Sequence, residues 1–237
     1  MNVKPSLYLA TVHRVRSFVL RQGRLTPGQQ RALNELWPLW GIENTQLSFF
    51  DWDKLYGPHQ KRIIEIGFGD GESLVQMANE QPETAFLGIE VHTPGIGHIL
   101  QTIEQAKIRN IRLMRADAVE VLNKYIAPNS IDGVQLFFPD PWSKKRHHKR
   151  RIVQPEFVSL IATRLRAEGI FWCATDWQEY AEHMLDVLNN EPQLTLHYSH
   201  QTTEQEPSSI LRPNTKFERR GQQLGHGVWD YQAQKNN

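Results

Sequence analysis

Three observations lead to an expected doubly wound α/β fold with a mostly parallel sheet, helices on both faces and an antiparallel edge. Short apolar runs alternate with segments of helical spacing. Those runs are apolar on successive residues, as strands covered on both faces are. Two further strand-like runs flank a polar loop near the C-terminus. Strands and helices alternating at this period build a parallel sheet between two helical layers. The parallel strands are expected at 63–66, 85–89, 111–114, 134–138 and 170–174, and the helices at 73–79, 96–108, 153–165 and 179–188. Runs 193–198 and 227–232 supply the antiparallel edge. The polar stretch 201–213 reads as a loop too short to link two domains. Residues 1–45 are expected to form a basic N-terminal arm and residues 46–237 a single domain.

A chain of 237 residues with 39% hydrophobic and 10% aromatic side chains carries enough apolar surface to fold without a disulfide or a structural metal. Cys173 is the sole cysteine, which excludes an internal disulfide and a Cys-rich zinc site and suits a reducing compartment. It lies inside an apolar run with no base nearby in sequence, so buried packing is expected rather than a nucleophile. His92, His98, His147 and His148 lack metal-ligand spacing, and no metal is expected. No apolar run approaches the roughly 18 residues that span a bilayer, and no secretory signal pattern opens the chain. A cytoplasmic protein with no membrane contact is expected.

Net charge is +1, which by itself names no partner, but the basic residues are clustered. The first 34 residues lack Asp and Glu yet hold Lys4, Arg14, Arg16, Arg21, Arg24 and Arg31. A second run, Lys144, Lys145, Arg146, His147, His148, Lys149, Arg150 and Arg151, is wholly basic. One like-charge run is usually just a solvated face; two in a near-neutral chain point to a polyanion. The basic N-terminus also fits a transit peptide, a reading weakened by its few serines and by Pro5, Gly23, Pro27 and Gly28.

The sharpest motif is Glu65-Ile66-Gly67-Phe68-Gly69-Asp70-Gly71, between a strand and a helix. Its glycines permit a tight turn and close approach of backbone to a ligand. The spacing is G-x-G-x-G, not the G-x-G-x-x-G of dinucleotide sites. Glu90 ends the next strand, where an acid can accept both ribose hydroxyls, and Asp117 follows the third, where it can accept an adenine amino group or simply cap a helix. Acids at adjacent strand ends suit a cationic nucleoside such as S-adenosylmethionine. Phe138-Pro139-Asp140-Pro141-Trp142 ends the fourth strand; its prolines hold an acid in extended backbone, beside a ring on which a base can stack. Asp176 ends the fifth strand next to Trp177. An acid in a stacking pocket beside a polycation suits a base-modifying enzyme. Two other readings stay open: a nicotinamide-dependent dehydrogenase, which shares the glycine turn and second-strand acid, and a non-catalytic RNA-binding module, which needs only the basic runs.

Six segments carry a resemblance over nearly the whole chain: 16–24, 65–71, 88–92, 140–151, 215–218 and 224–230. Together they resemble the bacterial tRNA (guanine-N7)-methyltransferases, with 138–151 and Thr215-Lys216-Phe217-Glu218 the most specific. The resemblance implies a Rossmann-like class I methyltransferase fold, S-adenosylmethionine as cofactor, and tRNA as partner. The implied target is the variable-loop guanine at position 46, methylated at N7 to 7-methylguanosine. It implies that Glu65, Gly67, Gly69, Glu90, Asp117 and Asp140 bind the cofactor or shape its pocket, and that Asp140 is catalytic. Lys144, Asp176, Thr215, Lys216, Phe217 and Glu218 match substrate-contacting positions, and Arg146, His147, His148, Lys149, Arg150 and Arg151 an RNA-contacting run. The resemblance favours an RNA-binding arm over a transit peptide, and action without an obligatory protein partner is expected.

Overall fold

The computed structural model of the chain describes residues 15–19, 23–43, 49–58, 61–202, 212–213, 218–219 and 227–237. They form α1 (Pro27–Glu35), α2 (Trp37–Trp40), α3 (Trp52–Tyr56), β1 (Lys61–Ile66), α4 (Glu72–Glu80), β2 (Thr84–Glu90), α5 (Thr93–Ala106) and β3 (Ile111–Arg115). There follow α6 (Ala118–Lys124), β4 (Ile131–Phe137), a 3-10 helix (Lys145–Arg150), α7 (Pro155–Arg164), β5 (Leu165–Thr175), α8 (Gln178–Asn189), β6 (Leu194–Thr202) and β7 (Val228–Lys235). The strands make one sheet in the order β3-β2-β1-β4-β5-β7-β6. β1 to β5 are mutually parallel where they pair, and β7 runs antiparallel to both β5 and β6. The expected α/β sheet with an antiparallel edge is present.

Strand side chains alternate between two cores, the consequence of a period of two. Val134, Leu136, Phe171 and Cys173 face a core closed by α6, α7 and α8, with Val121, Val158, Ile161, Tyr180 and Met184. Phe137, Trp172 and Ala174 face the opposite core, closed by α1, α4 and α5. The neighbours in sequence thus serve opposite sides. On α5, Ile96, Ile99, Leu100 and Ile103 are all fully buried, while its N-cap His92 makes no side-chain capping bond. Burying one such side chain is worth about 1.5–3 kcal/mol and a cap about 1 kcal/mol, so packing sets the helix.

Within the segment expected as an arm, α1 and α2 pack against the rest of the protein. Thr26 and Gln29 close a reciprocal capping box at 3.2 and 2.9 Å, with Pro27 as the first helical residue. Ala32 and Leu36 are buried against α5, the Gln29 side chain donates to the Pro94 carbonyl at 3.1 Å, and Gly41 bridges Leu113 of β3. A short apolar stripe inside a basic segment is the reason.

Smaller differences have similar causes. α7 starts at Pro155, which takes the first helical position after an extended Gln154, and the Val153 amide before it donates to the Tyr180 hydroxyl at 3.2 Å. β5 begins at Leu165, five residues before the expected strand, and β6 runs to Thr202, into the expected loop. Cys173 is fully buried, and burial followed by the charge of Asp230 pushes its thiol far above the usual range. Among the described residues no helix is long and apolar enough to cross a membrane.

Candidate active site

β1 lies between β2 and β4, so the chain leaves it in one direction and returns on the other side. In an open parallel sheet the loops part at such a point and leave a crevice at the carboxyl ends of the strands. A cleft of about 340 Å³ opens there. Its walls are the glycine turn, the end of β2 through His92, Asp117, the segment from Phe138 to Asp140, and Ser17, Phe18 and Val19.

Glu90 ties the first two walls together. Its Oε1 accepts the amides of Val91 and His92 at 2.6 and 2.9 Å, and its Oε2 accepts the Gly69 amide at 3.0 Å. A carboxylate has about four acceptor positions, so capacity remains for a donor in the cleft. Gly67 has φ 72°, in the left-handed region, and an added Cβ would meet no protein atom within 4 Å. The turn is backed by Gly95, where a Cβ would stand 2.2 Å from the Gly69 carbonyl oxygen; the sequence reading missed this glycine. Asp117 is half-buried in the cleft wall and also caps α6, accepting the Val119 amide at 3.0 Å. Of the two readings of that aspartate, the helix cap is present.

Glu65 does not line the cleft. It is buried at the end of β1, and its Oε2 has no hydrogen-bond partner among the described residues. Burial, then the charge of Glu90, pushes its carboxyl up to about 8.

Asp140 sits exposed at the cleft's lip. The two prolines beside it are flanked in turn by Phe138 at φ 52° and Trp142 at φ 48°, both left-handed. Such non-glycine residues cost about 1–3 kcal/mol each and persist only where neighbours hold them. Here the Phe138 amide donates to the Ala174 carbonyl at 2.8 Å, and Arg151 donates to the Pro141 carbonyl at 2.9 Å. Trp142 donates through Nε1 to the Ser17 carbonyl at 3.1 Å. The guanidinium of Arg150 lies 4.4 Å from the Trp142 ring centroid and donates to the Arg16 carbonyl at 3.3 Å. Trp142, expected to stack a base, therefore already carries a cation on its ring.

The basic run becomes the 3-10 helix. Lys144, Lys145, Arg146 and Lys149 are exposed, and His147, His148 and Arg150 are half-buried. Lost solvation and the charges of Arg146, Arg150, Lys144 and Lys149 hold the His147 imidazole below its ordinary value. Arg151 departs from the expected RNA-contacting role: it is 3% exposed, with its guanidinium 4.9 Å from the Tyr180 ring centroid. It turns inward because Pro141 offers an otherwise bare carbonyl and Tyr180 an apolar face.

Three expected substrate positions lie apart from the cleft wall. Lys144 is on the exposed approach to the 3-10 helix. Asp176 lines a separate recess with Trp177, Gln178, Glu179 and Trp229. Glu218 is fully buried and paired with Arg212, which also holds Asp230, and it is not among the described residues that line the cleft. Thr215, Lys216 and Phe217 lie outside the described residues. The sequence reading also missed the cleft walls at Ser17, Phe18 and Val19, which it counted only as part of an arm. Among the described residues no group of three or more His, Cys, Asp or Glu is placed to hold a metal ion.

Comparison with known proteins adds the family. Residues 59–231 match the methyltransferase family Methyltransf_4. The chain is 53% identical over 227 residues to a tRNA (guanine-N(7)-)-methyltransferase of Idiomarina loihiensis, covering 95% of this chain and 91% of that one. Among solved structures, the 16S rRNA methyltransferase KamB is similar with a TM-score of 0.61 and 13% identity, over 84% of this chain and 99% of that one. A variant of the 16S rRNA (adenine(1408)-N(1))-methyltransferase from Catenulisporales acidiphilia, solved with cosubstrate SAM, is similar with a TM-score of 0.54 and 12% identity, over 83% and 96%. These likenesses place the sheet among Rossmann-like class I methyltransferase folds. With that fold and that level of identity along its length, the chain belongs to the bacterial tRNA (guanine-N7)-methyltransferase family.

Proposed function

We propose that this protein transfers the methyl group of S-adenosylmethionine to N7 of guanine 46 in the variable loop of tRNA, giving 7-methylguanosine. One observation carries the reading. The cleft at the strand ends bears Glu90, Asp117 and Asp140 but no Lys or Arg among its described lining residues, and the 3-10 helix of cations begins five residues beyond Asp140. An all-acidic rim repels a pyrophosphate and favours a cationic nucleoside, which argues against a nicotinamide cofactor. A non-catalytic RNA-binding module leaves that rim without a use.

The residues present fit the cofactor. Glu90 has acceptor capacity toward ribose hydroxyls, Asp117 toward an exocyclic amine, and the open space at Gly67 admits a ligand close to the backbone. Gly69 is the amide that orients Glu90. Glu65, set back from the wall, shapes the pocket from behind. When bound, S-adenosylmethionine supplies an electrophilic methyl group on a sulfonium.

Guanine N7 carries an in-plane lone pair at neutral pH, so no residue here has to act as a base to expose it. What the chain contributes is position and a fixed negative field. Asp140 holds the N1–H or amino edge of the guanine and faces the positive charge that moves onto the purine. Asp176 and Lys144 steer the approaching nucleotide. Arg146, His147, His148, Lys149 and Arg150 grip the RNA backbone from outside the cleft, while Arg151 secures the loop beneath them. Thr215, Lys216 and Phe217 complete the substrate side, and Glu218 supports it through Arg212. The enzyme works in the cytoplasm, without an obligatory protein partner.

The test is incubation of the purified protein with S-adenosylmethionine and unmodified tRNA, followed by digestion and nucleoside mass spectrometry. Formation of 7-methylguanosine at position 46 is expected. No methylation, or a methyl group on another atom, overturns the reading.

A further inference from the structure

Arg212, Asp230 and Glu218 form a buried ionic cluster beside the cleft but not in its wall. All three side chains are essentially inaccessible to solvent. The Arg212 guanidinium forks onto Asp230, Nε to Oδ1 at 2.7 Å and Nη2 to Oδ2 at 2.9 Å. Its Nη1 donates to Glu218 Oε2 and, at 3.3 Å, to the Pro213 carbonyl. Trp172 Nε1 adds a bond to Asp230 Oδ1 at 3.2 Å.

Such a cluster is weak evidence for stability. Desolvating charges is expensive, and apolar side chains of similar volume often do as well. What it does provide is a flat cation fixed in one plane. That cation lies 5.6 Å from the ring centroid of Phe137 and 5.1 Å from that of Phe138. Phe137 is the last residue of β4, and Phe138 is the left-handed residue two positions before Asp140. A strained turn keeps its shape only when its surroundings hold it.

We propose that Arg212, locked by Asp230 and Glu218, is a positioning residue for methyl transfer, bracing Phe137 and Phe138 so that the turn aims Asp140 into the cleft. The inference rests on Asp140 being the group that meets the guanine. Lysine cannot replace this arginine, since it lacks both the planar fork and the flat face.

The test compares Arg212→Lys, Phe138→Leu and the double variant in full-length enzyme with S-adenosylmethionine and unmodified tRNA. Turnover is expressed per cofactor-binding site, titrated by calorimetry. Arg212→Lys is expected to lower kcat about 100-fold, the scale of a 1 Å misplacement of a reacting group, with KM for tRNA and Kd for the cofactor within about three-fold. The double variant is expected to lose no more than the worse single one, because both act through the same turn. An unchanged kcat per site in Arg212→Lys means a purely structural cluster and overturns the inference, as do losses that multiply in the double variant. Should Arg212→Lys fail to fold, Asp230→Asn, which loosens the same fork, is measured instead against the same expectations. Asp140→Asn is run alongside. If it keeps full turnover, the Asp140 reading falls and takes the inference with it. If it loses turnover while Arg212→Lys does not, only the inference falls.

Discussion

Asp140 and Glu65 are both acids at strand ends, yet their surroundings give them opposite roles. Asp140 is exposed at the lip of the cleft, where its carboxylate can face a positive centre. Asp140→Asn keeps the shape and removes the field. Turnover is expected to fall about 10²–10³-fold, the scale of removing one preorganised electrostatic partner. Cofactor affinity, read by calorimetry, should stay within about three-fold; an equal loss of both would make Asp140 a cofactor ligand instead. Glu65 is buried and its carboxyl is raised to about 8 by desolvation and by Glu90. Below its unfolded value near 4.5 the group is protonated in both states and makes no difference to folding. Between there and 8 the unfolded chain gives up a proton that the folded one keeps, so stability falls as pH rises. The full penalty, on the order of 5 kcal/mol, is present above 8. Glu65→Gln removes it, so its melting temperature should exceed that of the unaltered protein at pH 9 and match it at pH 4.5. Melting curves that stay parallel over this range would show that Glu65 ionises normally.

The 3-10 helix shows how one basic run divides its work. With three residues per turn, positions in a short 3-10 helix fall on few faces, and successive cations cannot all point the same way. Lys149 points to solvent, Arg150 covers Trp142, and Arg151, just past the helix, is buried beneath Pro141. Lys149→Ala should therefore leave stability unchanged and reduce the slope of log affinity for tRNA against log salt by about 1. Arg151→Ala should do the reverse. It strands the Pro141 carbonyl, which costs about 1–3 kcal/mol, and leaves the salt slope intact. Filter binding across a salt series, with urea unfolding of both variants, separates the two. A reduced slope for Arg151→Ala would return that residue to the RNA-contacting surface. Nothing in the letters distinguishes Arg150 from Arg151; the difference is the tertiary position of Pro141 and Tyr180, which local sequence does not carry.

Across the whole molecule, what could be read in advance was whatever repeats with the period of the fold. The five parallel strands were legible because residues such as Ile63 to Ile66 and Phe171 to Ala174 are apolar on both sides, and the cleft was legible because a doubly wound sheet gathers its strand ends. Glu90, Asp117 and Asp140 follow from that rule. The pairing of Arg212 with Asp230 does not, since a charged residue looks the same in a sequence whether it meets water or a buried partner. α6, at seven residues, shows too little of a helical period to be recognised. α1 was obscured differently, by a run of cations that made an integral helix resemble an appended arm. Removal of residues 1–25 spares Thr26 and its capping box, so a cooperative melt within a few degrees of the parent is expected, together with weaker cofactor binding from loss of the Ser17, Phe18 and Val19 wall. Removal of residues 1–43 also takes away buried Ala32 and Leu36 and partly buried Leu33, Trp37 and Trp40, leaving the outer side of α5 bare. At about 1.5–3 kcal/mol for each large side chain fully buried, that loss is on the order of 5 kcal/mol, comparable with the whole stability of a typical domain at about 5–15 kcal/mol. The longer truncation should unfold or aggregate at 25 °C where the shorter one does not, as followed by circular dichroism and urea titration. If both melt like the parent, α1 is an appendage after all, and the core facing α4 and α5 closes without it.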